Sequence, residues 1–394
     1  MFSRSRIGHL DQVLSGYIER REIPGIVALV ARGDVVHVTT AGSLALDGKL
    51  PMRRDTIFRI ASMTKPVTAV AAMILVEECK LRLDEPVDDL LPELANRRVL
   101  KRVDGPLDDT EPARRPISLR DLLTSRPGFG HIMVPCDDFP IRQALNEQKL
   151  LLGPPNPQSL PGPDEWMRRV GEVPLVYHPG EQWMYDLPLD VLGVLVARAA
   201  EQPLDVFMHE RIFAPLGMPD TGFHVPADKL DRLPVSYCSG PGGGLDVYDA
   251  VDGQWARPPV FASGGGGLVS TVDDYLAFCR MLLNKGSLGT ARILSRASVE
   301  LMTANHLSAA NKTGVGNFLG DGAGWGFGMG VDIRRDDLHT VPGRFGWDGG
   351  LGTSGYTDPE HGLIGILLTQ RMMDSPAPPR VFSDFWTGAY AAMI

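Results

Sequence analysis

The segment from Phe58 to Val76 constrains this chain more than any other. From Val67 onward it runs Val-Thr-Ala-Val-Ala-Ala-Met-Ile-Leu-Val, with Pro66 just ahead. A proline in the first turn of a helix costs little, because the N–H it lacks has no intrahelical partner there. Val67, Val70, Ala71, Ile74 and Leu75 follow a 3.6-residue period, while Ala69, Ala72, Met73 and Val76 fill the other faces. A helix apolar all round belongs in a core, so the fold must wrap other elements around it. Two polar residues, Ser62 and Lys65, stand at its head.

Their spacing suggests chemistry. Residues i and i+3 share a helix face, so the Lys65 amine can reach the Ser62 hydroxyl. A lysine desolvated by apolar neighbours is expected to have a lowered pKa and to accept a proton. A serine at a helix N-terminus lies beside free backbone N–H groups that favour developing negative charge. Nucleophile, base and half of an oxyanion site can thus come from one turn. No other lysine of the chain follows a serine at this spacing. A capping serine beside a surface lysine is the bland alternative, and it suits a less apolar helix.

The 394 residues suffice for one large domain or two modest ones with a sizeable core. A net charge of −9 argues against a nucleic-acid binder and against a polybasic membrane anchor. No window approaches the roughly 20 apolar residues of a membrane span, and the start of the chain has no apolar signal core. Cys79, Cys136, Cys238 and Cys279 are scattered, without a C-x-x-C pair. Neither structural zinc nor a disulfide framework is expected, and cytoplasmic residence is the default.

Along the chain, residues 7–20 read as an amphipathic helix, and 25–32 and 34–40 as a strand hairpin turning at Arg32-Gly33-Asp34. Residues 55–60 form a third strand-like piece. A helix starts near Ile117, and residues 134–163, rich in proline and glycine, read as a long irregular insertion. Helices are expected at 186–202, 271–284 and 381–393, and strands at 325–333, 344–347, 353–358 and 362–370. Strands at both ends with helices between them predict an α/β architecture of the α+β type. An antiparallel sheet from residues about 25–60 and 325–370 is covered by terminal helices, with a mostly helical subdomain inserted. The expected division is an α/β subdomain of residues 1–90 and 256–394 and a helical one of 91–255, forming one catalytic unit.

A serine–lysine pair needs a group to carry the proton to the leaving atom. Tyr185 is the candidate: beside a cationic lysine its pKa should be pulled down, fitting it as base toward Ser62 and then as acid toward the leaving oxygen. The stretch from Gly346 to Gly355 packs glycines into a strand pattern, which implies a backbone or ligand passing close by. There the Gly350 N–H can complete an oxyanion pair with that of Ser62, and Trp347 can wall an acyl or alcohol group.

Ser62-Met63-Thr64-Lys65, Tyr185-Asp186-Leu187 and Trp347-Asp348-Gly349 follow the order and rough spacing of the serine β-lactamase-like superfamily. Within it the chain most resembles the family VIII carboxylesterases, relatives of class C β-lactamases and D,D-peptidases. Residues 119–130, 264–271 and 325–328 match in style, so the resemblance spans about residues 10–375. It implies Ser62, Lys65 and Tyr185 as catalytic groups, the N–H groups of Ser62 and Gly350 as the oxyanion hole, and Trp347, Asp348, Gly349 and Leu187 at the substrate. Two departures from the antibiotic-hydrolysing branch matter. Where that branch carries Lys-Thr-Gly, whose lysine helps hold the substrate carboxylate, this chain has Trp347-Asp348-Gly349. Where its second motif ends in asparagine, this chain has Leu187. Both changes favour an uncharged ester.

The reading is a serine carboxylesterase acting on small-molecule, short-chain esters through an acyl-enzyme, with no metal and no organic cofactor. A β-lactamase, peptidase, amide hydrolase or acyltransferase is the rival on the same fold, and a non-catalytic binding protein the rival of another class. Gly352-Thr353-Ser354-Gly355-Tyr356 lacks the final glycine of a Gly-x-Ser-x-Gly elbow. Gly240–Gly244 lacks the Lys-Ser/Thr of a phosphate loop, and the nine histidines form no H-E-x-x-H. His178 is expected to pack a loop near Tyr185.

Overall fold

The computed structural model describes residues 1–132, 138–150, 153–316 and 318–394. At its centre lies a seven-stranded antiparallel sheet. Its strands are β1 (Gly25–Arg32), β2 (Val35–Gly42), β5 (Ala323–Trp325), β6 (Gly330–Asp332), β7 (Phe345–Gly349), β8 (Thr353–Asp358) and β9 (Leu363–Thr369), in the order β5-β6-β7-β8-β9-β1-β2. The two ends of the chain meet where β1 pairs with β9, with Val27 opposite Leu368 and Leu29 opposite Ile366.

Strand β1 is buried almost throughout, because both faces of the sheet are covered. Ile26, Ala28 and Val30 join Leu363 and Leu367 under helices α1 (Arg4–Glu19) and α8 (Arg380–Ala391), against Leu10, Leu14, Phe382 and Phe385. Val27, Leu29 and Ala31 point the other way, as strand alternation requires. They join the large core containing α2 (Thr64–Glu77) and α7 (Val272–Leu283). In α2 every residue from Thr64 to Leu75 is buried, including Lys65.

Beyond the sheet come α3 (Leu119–Leu123), α4 (Pro140–Glu147), α5 (Pro163–Glu172) and α6 (Leu187–Ala200). Thus the region expected to be irregular contains a helix, seated by Ile141 and Leu145 four residues apart, and α5 follows directly. Residues 153–162 form no helix or strand, and the part of that expectation at residues 134–137 and 151–152, Cys136 included, lies outside the described residues.

Two strand expectations are corrected. Residues 55–60 do not join the main sheet: only β3 (Phe58–Arg59) is a strand, and it pairs with β4 (Val269–Ser270). Arg59 ties it there, its buried guanidinium 2.6 Å from Asp249 and bonded to the carbonyls of Pro234 and Ala250. A single strand over 325–333 is instead the pair β5 and β6, reversed at a turn where Gly328 has φ +69°.

Candidate active site

Ser62 lies in a 3₁₀ turn, Ala61–Met63, that runs straight into α2. Ala61 has φ +43°, a left-handed conformation that a side chain resists. The chain therefore breaks from β3 at Ala61 and enters the helix at Ser62, leaving the serine partly exposed at a cavity wall. Behind it the Lys65 ammonium donates to Ser62 Oγ at 2.9 Å.

Tyr185 arrives from the loop before α6. Its hydroxyl accepts from Trp347 Nε1 at 2.6 Å, its ring centroid is 4.5 Å from Lys65 Nζ, and it lines the same cavity as Ser62. Trp183, Trp325, Trp347 and Phe318 surround the ring. An indole N–H only donates, so the hydrogen of the phenol must point elsewhere.

Ser62, Tyr185, Leu187, Trp347, Asp348 and Gly350 line one cavity of about 740 Å³. Gly350 is exposed there with open space around its Cα. Gly349, expected at the substrate, is not among the residues that line the cavity. A Cβ on it would stand 2.3 Å from the Ile60 carbonyl oxygen and 2.2 Å from Thr353 Oγ1. Its bare Cα lets the end of β7 lie against the segment that carries Ser62. His178 does pack a loop, with Nε2 3.0 Å from Glu111 and Nδ1 accepting from Arg114 N–H.

The charge states differ from those expected of a lowered lysine and a lowered phenol. Burial alone would push Lys65 down. The charges of Asp186, Tyr185 and Asp190 and the Asp186 hydrogen bond outweigh it, so Lys65 is held above its ordinary value. Burial pushes the Tyr185 phenol up, further than nearby Lys65, Ser62 and the Trp347 N–H pull it down. The resting pair is therefore ammonium and phenol.

Two carboxylates escaped the sequence reading. Asp186 Oδ1 accepts from Lys65 Nζ at 2.6 Å. Asp190, in the first turn of α6, accepts from Ser263 Oγ at 2.6 Å and Gly265 N–H at 2.9 Å, and the Gly265 carbonyl in turn accepts from Lys65 at 2.6 Å. The available signal was a pair of acidic residues one and five places after Tyr185, at the start of an otherwise apolar helix. Gly264 explains the glycine run beside them. A Cβ there would lie 2.6 Å from the Leu189 oxygen and 3.0 Å from Thr68 Cγ2, so only glycine threads between α6 and α2. Among the described residues, no group of three or more His, Cys, Asp or Glu side chains is disposed to hold a metal ion.

The β-lactamase family model matches residues 10–381. Protein Rv1367c of Mycobacterium tuberculosis is 40% identical over 362 residues, covering 89% of this chain and 87% of that one. Esterase EstB of Burkholderia gladioli is 31% identical over 403 residues, covering 95% and 93%. Among solved structures, EstCE1, described as a hydrolase with promiscuous acyltransferase activity, superposes with a TM-score of 0.80 at 25% identity, covering 98% of this chain and 99% of that one.

Proposed function

The chain belongs to the β-lactamase family, and on that footing we propose that this serine hydrolase is a carboxylesterase working through an acyl-enzyme on Ser62. The observation that carries the reading is the convergence of three groups at one cavity wall. Lys65 lies 2.9 Å from Ser62 Oγ, its Nζ is 4.5 Å from the Tyr185 ring centroid, and Ser62 and Tyr185 line the same cavity.

Once the Lys65–Tyr185 pair has lost a proton, it can take that of Ser62 as Oγ bonds to the ester carbonyl carbon. The carbonyl electron pair moves to oxygen, which the N–H groups of Ser62 and Gly350 receive. On collapse the carbon–alkoxy bond breaks and the alcohol leaves with the proton handed on by Tyr185. Water then attacks the acyl carbon, giving its proton to the same pair, and the acid departs as Oγ is reprotonated. Esters are favoured over anionic lactams because Trp347 and Leu187 present apolar surface where a substrate carboxylate would need a cation or an amide. The similarity to EstB supports the bond class. The similarity to EstCE1 supports a second use of the acyl-enzyme, its transfer to an alcohol in place of water.

The test is hydrolysis of p-nitrophenyl acetate together with labelling by a fluorophosphonate probe. Wild type is expected to turn over the ester and to label at Ser62. Ser62→Ala should lose labelling and at least about a thousandfold in kcat/KM. An unlabelled wild type, or a Ser62→Ala variant of undiminished activity, defeats the proposal.

A further inference from the structure

A lysine ammonium carries three N–H donors, and all three of Lys65 have partners: Ser62 Oγ at 2.9 Å, Asp186 Oδ1 at 2.6 Å and the Gly265 carbonyl at 2.6 Å. A carboxylate and a carbonyl can only accept. We propose that Asp186 is the positioning residue of the proton relay: it holds one N–H, the Gly265 carbonyl holds another, and the only proton left to exchange points at Ser62. The inference rests on the reading of Ser62 as nucleophile.

When Lys65 is neutral, its two hydrogens remain with Asp186 and Gly265, and its lone pair faces the Ser62 hydroxyl. The proton then moves from Oγ to Nζ as the Oγ–carbon bond forms. Without Asp186 the amine can rotate, and the lone pair is aimed at Ser62 for only part of the time.

Three further observations converge on this assignment. Asp186 has φ +79° and ψ −79°, a conformation that a residue with a side chain resists and that clusters at functional sites. That kink turns the Tyr185 ring over Lys65 and the next side chain onto its amine. Asp190 holds the second acceptor in place through its bonds to Gly265 N–H and Ser263 Oγ. Leu187, the residue after Asp186, has no polar side-chain atom with which to bond the amine.

The carboxylate that aims the amine also holds it as a cation, so the resting site must lose a proton before Ser62 attacks and the rate should rise with pH. The ionisable groups facing Lys65 are Tyr185, Asp186 and Asp190. His131 senses Asp186 from the opposite loop, and Asp348 lies in the cavity wall on β7. Asp186→Asn keeps an acceptor oxygen but removes the charge, so Lys65 deprotonates at lower pH. Asp186→Gly removes the acceptor at a backbone conformation that glycine adopts without strain.

The experiment measures, from pH 5 to 10, the second-order rate of fluorophosphonate labelling and kcat/KM for p-nitrophenyl acetate. Asp186→Asn should move the acid limb of both profiles down by about one pH unit or more. Asp186→Gly, which lacks both the charge and the acceptor, should run about 10–100-fold below Asp186→Asn at every pH measured. An unmoved acid limb in Asp186→Asn overturns the proposal, as does an Asp186→Gly rate equal to that of Asp186→Asn. If the glycine variant does not fold, the acid limb of Asp186→Asn decides alone. A wild type that neither labels nor turns over overturns the nucleophile reading itself. Wild type and variants that label with identical profiles overturn only the role of Asp186.

Discussion

Asp348 shows how one residue can serve a site and weaken the fold. It stands on β7 between Trp347 and Gly349, in the cavity wall, and its Oδ1 has no hydrogen-bond partner among the described residues. Burial pushes its carboxyl up to about 6, against the opposing pull of Ser354 and Arg344. A carboxyl raised on folding favours the protonated native state, so its stabilising contribution is whole below about pH 4 and is lost as pH climbs through 6. Wild type should therefore lose stability relative to Asp348→Asn between pH 4 and 7, by about 1–3 kcal/mol. Urea unfolding at both pH values checks this, and a pH-independent difference between the two proteins contradicts it.

At the scale of elements, the site depends on how closely β7 approaches the turn that carries Ser62. Gly349 sets that distance, since a methyl group there would meet the Ile60 carbonyl oxygen and Thr353 Oγ1. Gly349→Ala should cost about 1–3 kcal/mol, as overpacking does, and should displace Trp347 and Gly350 from Ser62. Its ester kcat/KM is expected to fall at least about tenfold, in keeping with the sensitivity of catalysis to small misplacements. Gly350→Ala is the control: its Cβ would meet nothing within 4 Å, so stability should change by no more than about 0.5 kcal/mol. Thermal unfolding of the two variants, measured together, separates crowding from a general intolerance of the loop.

For the whole molecule, the cavity opens between the head of α2 and the end of β7, which supply Ser62, Trp347 and Gly350, and the α6 side, which supplies Tyr185, Asp186 and Asp190. Its wall bears Asp186, Asp190, Asp332 and Asp348 against one lysine, Lys149, while Lys65 is paired with Asp186 and fully buried. No helix among the described residues is long and apolar enough to cross a membrane. An acidic cavity with an apolar slot should favour an uncharged ester. A chromogenic cephalosporin, which carries a carboxylate, is expected to react with a kcat/KM at least about a thousandfold below that of p-nitrophenyl acetate. Comparable rates for the two substrates would show that Lys149 offsets the acidic wall.

Much of this protein can be read from local pattern alone. Alternation and 3.6-residue periodicity place β1, β2, β8, β9, α1, α2, α6, α7 and α8 to within a few residues, because each buries a face set by its own side chains. The i, i+3 spacing of Ser62 and Lys65 likewise follows from one helical turn. The protonation of that pair does not, since it depends on charges delivered from 121 positions away, where Asp186 meets Lys65. Nor does the fate of Phe58–Arg59, drawn out of the main sheet by an ion pair with Asp249. Short-range periodicity carries no record of which distant groups will face a buried amine, and in a medium of low dielectric those contacts together outweigh the desolvation that local sequence foretells.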